Sequence, residues 1–184
     1  ILGLPVIFGP VHIAFIEMII DPVCSLVFEA EREETDIDTR PPRPPAAPLF
    51  SQGLILWSIV QGLCATAYVG ATYTWGLSQS LPDGELRALT FFSLVAGIVA
   101  LIFVNRTFAT LPWAALSRPT PVLLAVPVAV AAAASAVLFI PALSSLFRFG
   151  PLHGNDAGII CGGAVVLLIV LQLLKRLAVP ALRR

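Results

Sequence analysis

Two carboxylates stand in a place that normally excludes them. Glu17 and Asp21 lie within the run Ile13-Ala14-Phe15-Ile16-Glu17-Met18-Ile19-Ile20-Asp21-Pro22, where the other residues are apolar. An acid at mid-membrane depth costs at least ~2.5–3.5 kcal/mol on insertion scales, so a pair of them needs a reason. At i and i+4 they share one helical face, and Ser25 extends that face at i+8. Pro22 adds a second kind of oxygen. It has no N–H for the carbonyl of Met18, and its ring crowds that turn, so a helix break is expected there. Two carboxylates, a freed Met18 carbonyl and the Ser25 hydroxyl form an oxygen-rich set suited to a hard cation such as Ca²⁺, Mg²⁺ or Na⁺. Irregular backbone at this depth is tolerated only inside protein or beside a wet cavity, so this face is expected to look into the bundle. The alternative is that both acids are protonated or satisfied by neighbouring helices and serve as polar glue.

The other polar residues in apolar surroundings point to packing. His12, five positions before Glu17, is expected near the outer boundary as an interfacial or packing residue, with a proton role as the alternative. Gln61 and Asn105 are expected to hydrogen-bond between helices. Gly162-Gly163 follows no strand, which favours close helix packing over phosphate binding. Trp57, Trp75, Trp113, Tyr68 and Tyr73 suit boundary belts or packing. Cys24, Cys64 and Cys161 lie far apart with no paired spacing and read as small core residues. No constellation for catalysis is present.

These residues are carried by a chain built for lipid. Of 184 residues, 58% are hydrophobic and 12% charged, against about 25% charged in a water-soluble domain. The mean hydropathy is +0.92. With 11 basic residues balancing 11 acidic ones, a basic nucleic-acid binder is excluded, as are a disordered tail and a disulfide scaffold. Five stretches are long enough to cross the bilayer: Leu4–Phe28, Phe50–Leu77, Leu86–Phe108, Pro121–Leu143 and Ala157–Leu177. Alternation of polar and apolar residues is absent, which rules out a membrane β-barrel. The expected fold is all-α, a polytopic bundle of five transmembrane helices forming one domain over residues 1–184. Met18 is the one methionine and no secretory signal pattern opens the chain, so it is expected to be a piece of a longer polypeptide.

The connections set the orientation. The first, residues 29–49, is acidic and then proline-rich: Glu29, Glu31, Glu33, Glu34, Asp36 and Asp38, followed by Arg40-Pro41-Pro42-Arg43-Pro44-Pro45. With Arg32, Arg40 and Arg43 it shares one side with Arg106, Arg118, Lys175, Arg176, Arg183 and Arg184, so nine basic residues face Arg87 and Arg148 alone on the other side. The positive-inside rule therefore places this loop and the C-terminus in the cytoplasm.

The segment Phe15-Ile16-Glu17-Met18-Ile19-Ile20-Asp21-Pro22, an acidic stretch, and then Asp38-Thr39-Arg40-Pro41-Pro42-Arg43 resemble the sixth transmembrane helix and following cytoplasmic loop of type II P-type cation ATPases, and in particular bacterial pumps of the calcium-transporting kind. By that resemblance the five spans are helices six to ten, and the protein is integral to a bacterial plasma membrane. Glu17 and Asp21 fall on the family's ion-coordinating positions, and Arg40-Pro41-Pro42-Arg43 on its coupling loop. Ile20 falls where animal calcium pumps carry a coordinating threonine. The third span offers Val99 and its neighbours where those pumps place an acid for a second site. One ion site is therefore implied, for Ca²⁺ or another hard cation.

The family's phosphorylation motif, nucleotide domain and helix-four ligands are absent from the sequence. ATP and Mg²⁺ would be handled by that missing part, and this chain could not hydrolyse ATP alone. The implied partners are the lipid bilayer and the missing N-terminal helices and phosphorylation and nucleotide domains, with no nucleic acid. Two other functions are compatible with the carboxylate pair: a gradient-driven cation carrier or channel subunit, and a membrane anchor that does not transport. The Arg-Pro-Pro-Arg loop favours the pump over the carrier, and the missing start favours a fragment over a separate subunit.

Overall fold

Residues 7–29, 51–105 and 121–182 are described by a computed structural model, and all their regular structure is helical. The helices are α1 (Pro10–Glu29), α2 (Gln52–Ser78), α3 (Asp83–Asn105), α4 (Pro121–Phe139), α5 (Pro141–Phe147) and α6 (Gly154–Leu182).

Local chemistry fixes their ends. Pro10 opens α1 at the position where its missing N–H is harmless. Ser51 caps α2, its hydroxyl accepting from the Leu54 N–H at 3.2 Å. That helix closes with Ser80 in the left-handed region (φ 54°), while the Leu81 N–H donates back to the Gly76 carbonyl at 3.2 Å. Asp83 and Glu85 lie in the first turn of α3, where the helix dipole favours acids. At the start of α6 the Asp156 carboxylate accepts from the His153 N–H at 2.9 Å, half of a capping box.

The fourth expected span is corrected. Instead of one helix over 121–143, α4 ends at Phe139 and α5 departs at 89°. Pro141 is the reason: it disfavours helical geometry at the residue before it, and Ile140 is extended at φ −88°, ψ 113°. Pro22 acts differently from Pro141. It lies inside α1, which continues through it to Glu29, so the expected break does not divide the helix.

Among the described residues α2, α3 and the Gly154–Arg176 part of α6 are long and apolar enough to cross a membrane, and the bent α4–α5 pair makes a fourth span if counted as one. The 20 residues of α1 give a length of about 30 Å. The molecule is thus an all-helical polytopic membrane bundle. Its centre is α3, with 61% of its most apolar stretch buried against 11% for α2 and 17% for α6. α3 packs on both α2 and α6, while α1 lies against α3, α4 and α5. Two apolar clusters hold these contacts. One joins Phe91, Phe92 and Val95 of α3 to Val130, Val137, Phe147 and Ile160. The other joins Trp57, Ala100, Val104, Leu167 and Leu171. The outward apolar residues, such as Leu56, Leu63, Val166 and Leu173, suit a hydrocarbon solvent.

Two glycine sites allow backbones to approach closely. A Cβ on Gly150 would lie 2.7 Å from the Glu85 nitrogen, and one on Gly84 would lie 2.8 Å from the Gly150 nitrogen. The start of α3 therefore touches the α5–α6 connection backbone to backbone. At Gly163 a Cβ would strike the Tyr68 ring. That ring spans from α2 to α6, its hydroxyl donating to the Ile160 carbonyl at 2.7 Å.

Candidate functional site

The face of α1 that packs into the bundle is set by its apolar stripe. Phe8, Val11, Phe15 and Ile16 pack against the α3–α5 cluster, and His12 is buried among them. These positions recur at the three- and four-residue spacing of one helical face. Ile13, Glu17 and Met18 fall on the other side and are exposed, Met18 at 71%. Ser25, eight residues after Glu17, is exposed as well.

This corrects one expectation. Glu17 does not look into the bundle formed by these helices; it lies on the face they leave uncovered. The physical reason is that the large rings of Phe8 and Phe15 and the imidazole of His12 compete for the interior, and they take it. The side chains of Asp21, Pro22 and Cys24 lie outside the described residues, as does the loop with Arg40, Pro41, Pro42 and Arg43. With Pro22 inside a continuous α1, the Met18 carbonyl has no N–H donor four residues on. Among the described residues no three His, Cys, Asp or Glu side chains converge as a ligand group.

The interhelical polar contacts are structural. Gln61 and Asn105 form a reciprocal amide pair between α2 and α3, with the Gln61 Nε2 donating at 2.7 Å and the Asn105 Nδ2 at 3.2 Å. Both make the expected interhelical hydrogen bonds, and the structure shows that each is the other's partner. Of the two adjacent glycines, Gly163 meets Tyr68 while Gly162 faces open space. His12 is 5% exposed and packs edge-on to Phe91, Phe147 and Phe149, with ring centroids 5.3–5.4 Å away.

Sequence reasoning missed two cations that join helices. Lys175 is buried, and its Nζ donates to the Val104 carbonyl at 2.5 Å, satisfying one of the orphan acceptors in the last turn of α3. Arg87 on α3 bridges two other segments. Its Nε donates to the Ile7 carbonyl at 2.8 Å and its Nη1 to the Arg148 carbonyl at 3.0 Å. Both had been visible only as counts of charge, since a single arginine or lysine carries no signal of which carbonyl it will reach.

The family profile described as cation transporting ATPase, C-terminus, matches residues 5–177. The chain belongs to this family. It is the C-terminal transmembrane part of a cation-transporting P-type ATPase. Among curated proteins no relative matches it. The assignment gives the helices of this pump region a common purpose: α2, α3 and α6 form a packed block, and α1 leans on that block while leaving its acidic face open.

Proposed function

We propose that this region supplies one intramembrane cation site, built on Glu17 and Asp21, to an ATP-driven pump. The observation that carries the proposal is the uncovered face of α1. Its Glu17 is flanked by exposed Ile13 and Met18, while the opposite face is packed. A carboxylate left against hydrocarbon is costly, and intramembrane acids almost always face protein or a wet cavity. The remaining helices of the pump complete that face and enclose the ion. Asp21 joins Glu17 there by its four-residue spacing, the Met18 carbonyl and Ser25 add oxygens, and the ion is Ca²⁺ or another hard cation.

The loop Arg40-Pro41-Pro42-Arg43 docks on the phosphorylation domain and passes its motion to α1. A proline fixes φ and biases the residue before it away from helix, which suits a stiff coupling element. ATP and Mg²⁺ act in the phosphorylation and nucleotide domains of the same pump, where an aspartyl phosphate forms and drives alternating access. The C-terminus is cytoplasmic, and the membrane is a bacterial plasma membrane. The Ser78–Asp83 turn and the α5–α6 connection then face outward.

A spin label tests the covered face. Placed at Met18→Cys in the intact pump, it is expected to be shielded from lipid-borne oxygen. A label at Leu63→Cys, a residue that is 65% exposed on a helix without acids, is the lipid-accessible control. Equal oxygen accessibility at the two positions would contradict the proposal.

A further inference from the structure

The outer end of α1 is held by a polar contact that one proton can abolish. Gly9 precedes the first helical residue, and its carbonyl accepts from the His12 N–H at 3.0 Å. In return the Gly9 N–H donates to the His12 Nδ1 at 3.2 Å. The side-chain contact is half of a capping box, as at Asp156, with imidazole where glutamate or glutamine usually stands. Such a contact fixes the state of the ring, since Nδ1 accepts only while it carries no proton. The other nitrogen, Nε2, is buried toward the Phe147 backbone without a well-formed hydrogen bond.

Apart from the backbone at Gly9 and Phe147, the ring is surrounded by aromatic side chains and one cation. From α3 it is faced by Phe91 and by the charge of Arg87. From α5 and the turn that follows, it is faced by the rings of Phe147 and Phe149, and the Arg148 side chain between them is exposed. Phe8 stands beside it on its own segment. No carboxylate among the described residues contacts the ring. Arg87 meanwhile ties the same end of α1 to α5 through the Ile7 and Arg148 carbonyls.

We propose that His12 is a proton-operated positioning residue for the helix that carries Glu17. With Nδ1 free of a proton, it caps α1 and seats the helix start between α3 and α5. A proton taken from the outer solution onto Nδ1 turns that acceptor into a donor facing the Gly9 N–H, so the cap is lost and the outer end of α1 loosens. Glu17 lies five residues on, about 7–8 Å along the axis, so this movement acts on the ion site from its outward side. The link to transport rests on the pump reading above; the latch itself does not.

The test uses three forms of the intact protein. His12→Gln keeps a side-chain acceptor at the capping position but cannot titrate. His12→Phe fills the aromatic cage but cannot cap. Hydrogen exchange of the Gly9–Ile13 amides is followed between about pH 8 and 5, the range over which histidine changes charge. Taking the wild-type rate relative to His12→Gln at each pH removes the intrinsic pH dependence of exchange. The ratio is expected to be near one at the alkaline end and to rise about two- to thirty-fold on acidification, the change that loss of a cap produces. His12→Phe is expected to exchange fast throughout. A ratio that stays constant with pH would overturn the latch.

The second readout is breakdown of the phosphorylated pump in sealed vesicles as the outer pH is varied. It is expected to change with pH in the wild type and to be flat in His12→Gln. Identical profiles would show that His12 does not position the site. Absence of any cation-dependent phosphorylation in the wild type would instead defeat the pump reading, and the exchange ratio would still decide the latch.

Discussion

Replacing Gly163 with alanine adds one methyl group, and its position makes the consequence calculable. The new Cβ would overlap the Tyr68 ring, and that ring cannot simply retreat. Its far side lies on α3, 3.5 Å from where a Cβ on Gly97 would be, and its hydroxyl is anchored to the Ile160 carbonyl. Forcing an extra methyl into a packed site typically costs 1–3 kcal/mol. If the ring moves enough to release its hydroxyl, the lost interhelical hydrogen bond adds about 0.6 kcal/mol, and at most about 1.7. Gly162→Ala is the matched control, because it carries the same helix-propensity gain and its methyl meets open space. The difference between the two variants therefore isolates the collision, at about 1–5 kcal/mol. Tyr68→Phe, which removes the hydroxyl alone, should lose only the hydrogen-bond part. The assay is unfolding of the intact protein by SDS titration in mixed micelles, with all variants in parallel. A Gly163→Ala protein as stable as Gly162→Ala would refute the packing argument.

Other outcomes follow from the same contacts. Gln61→Leu should destabilise by about 1–2 kcal/mol, because it strands the half-buried Asn105 amide, and Gln61→Leu with Asn105→Leu should recover part of that loss in the same titration. Additive losses would show that the pair is not coupled. Lys175→Met should loosen the end of α3 and raise hydrogen exchange in its last turn, from Ile102 to Asn105; unchanged exchange would mean that Lys175 does not support the Val104 carbonyl. Cysteines placed at Asp83 and at Pro45 should be labelled from opposite sides of the membrane, whereas labelling from one side would overturn the proposed orientation. Arg40→Ala with Arg43→Ala in the intact pump should slow the step that links phosphorylation to transport and spare cation affinity; a fall in affinity with intact coupling would contradict the loop's assigned role.

What could be read in the sequence depended on how local the cause was. Helix identity followed from runs of apolar residues, so the all-α membrane bundle was legible before any coordinates. That Gln61 and Asn105 would hydrogen-bond between helices was legible too, because they are costly in lipid without partners; that they would choose each other was not. The break at Ile140 was missed although Pro141 was in plain view. A proline within an apolar run can either lie inside a continuing helix or start a new one, as Pro22 and Pro141 demonstrate, and packing decides between them. Which neighbours cover each face of α1 was not legible, for a related reason. The acids of that helix suggest an interior face, but the bundle formed here claims the opposite face with Phe8, His12 and Phe15. An acidic face can be interior to a larger assembly and still be exposed on this part of it. Tertiary partners such as Arg87 with the Ile7 and Arg148 carbonyls, 80 and 61 residues away, leave no trace in local pattern.

The central claim is that Glu17 and Asp21 hold the transported cation, and the most direct measurement is cation-dependent phosphorylation of the intact pump carrying Glu17→Gln or Asp21→Asn. Both substitutions keep shape and remove charge, so each should raise the cation concentration needed for phosphorylation. Asp21→Asn should have the larger effect, because its shorter side chain adjoins Pro22 and has less reach with which to adjust. Cation dependence in the Asp21→Asn protein that matches the wild type would contradict the account and leave the two acids as polar glue between helices.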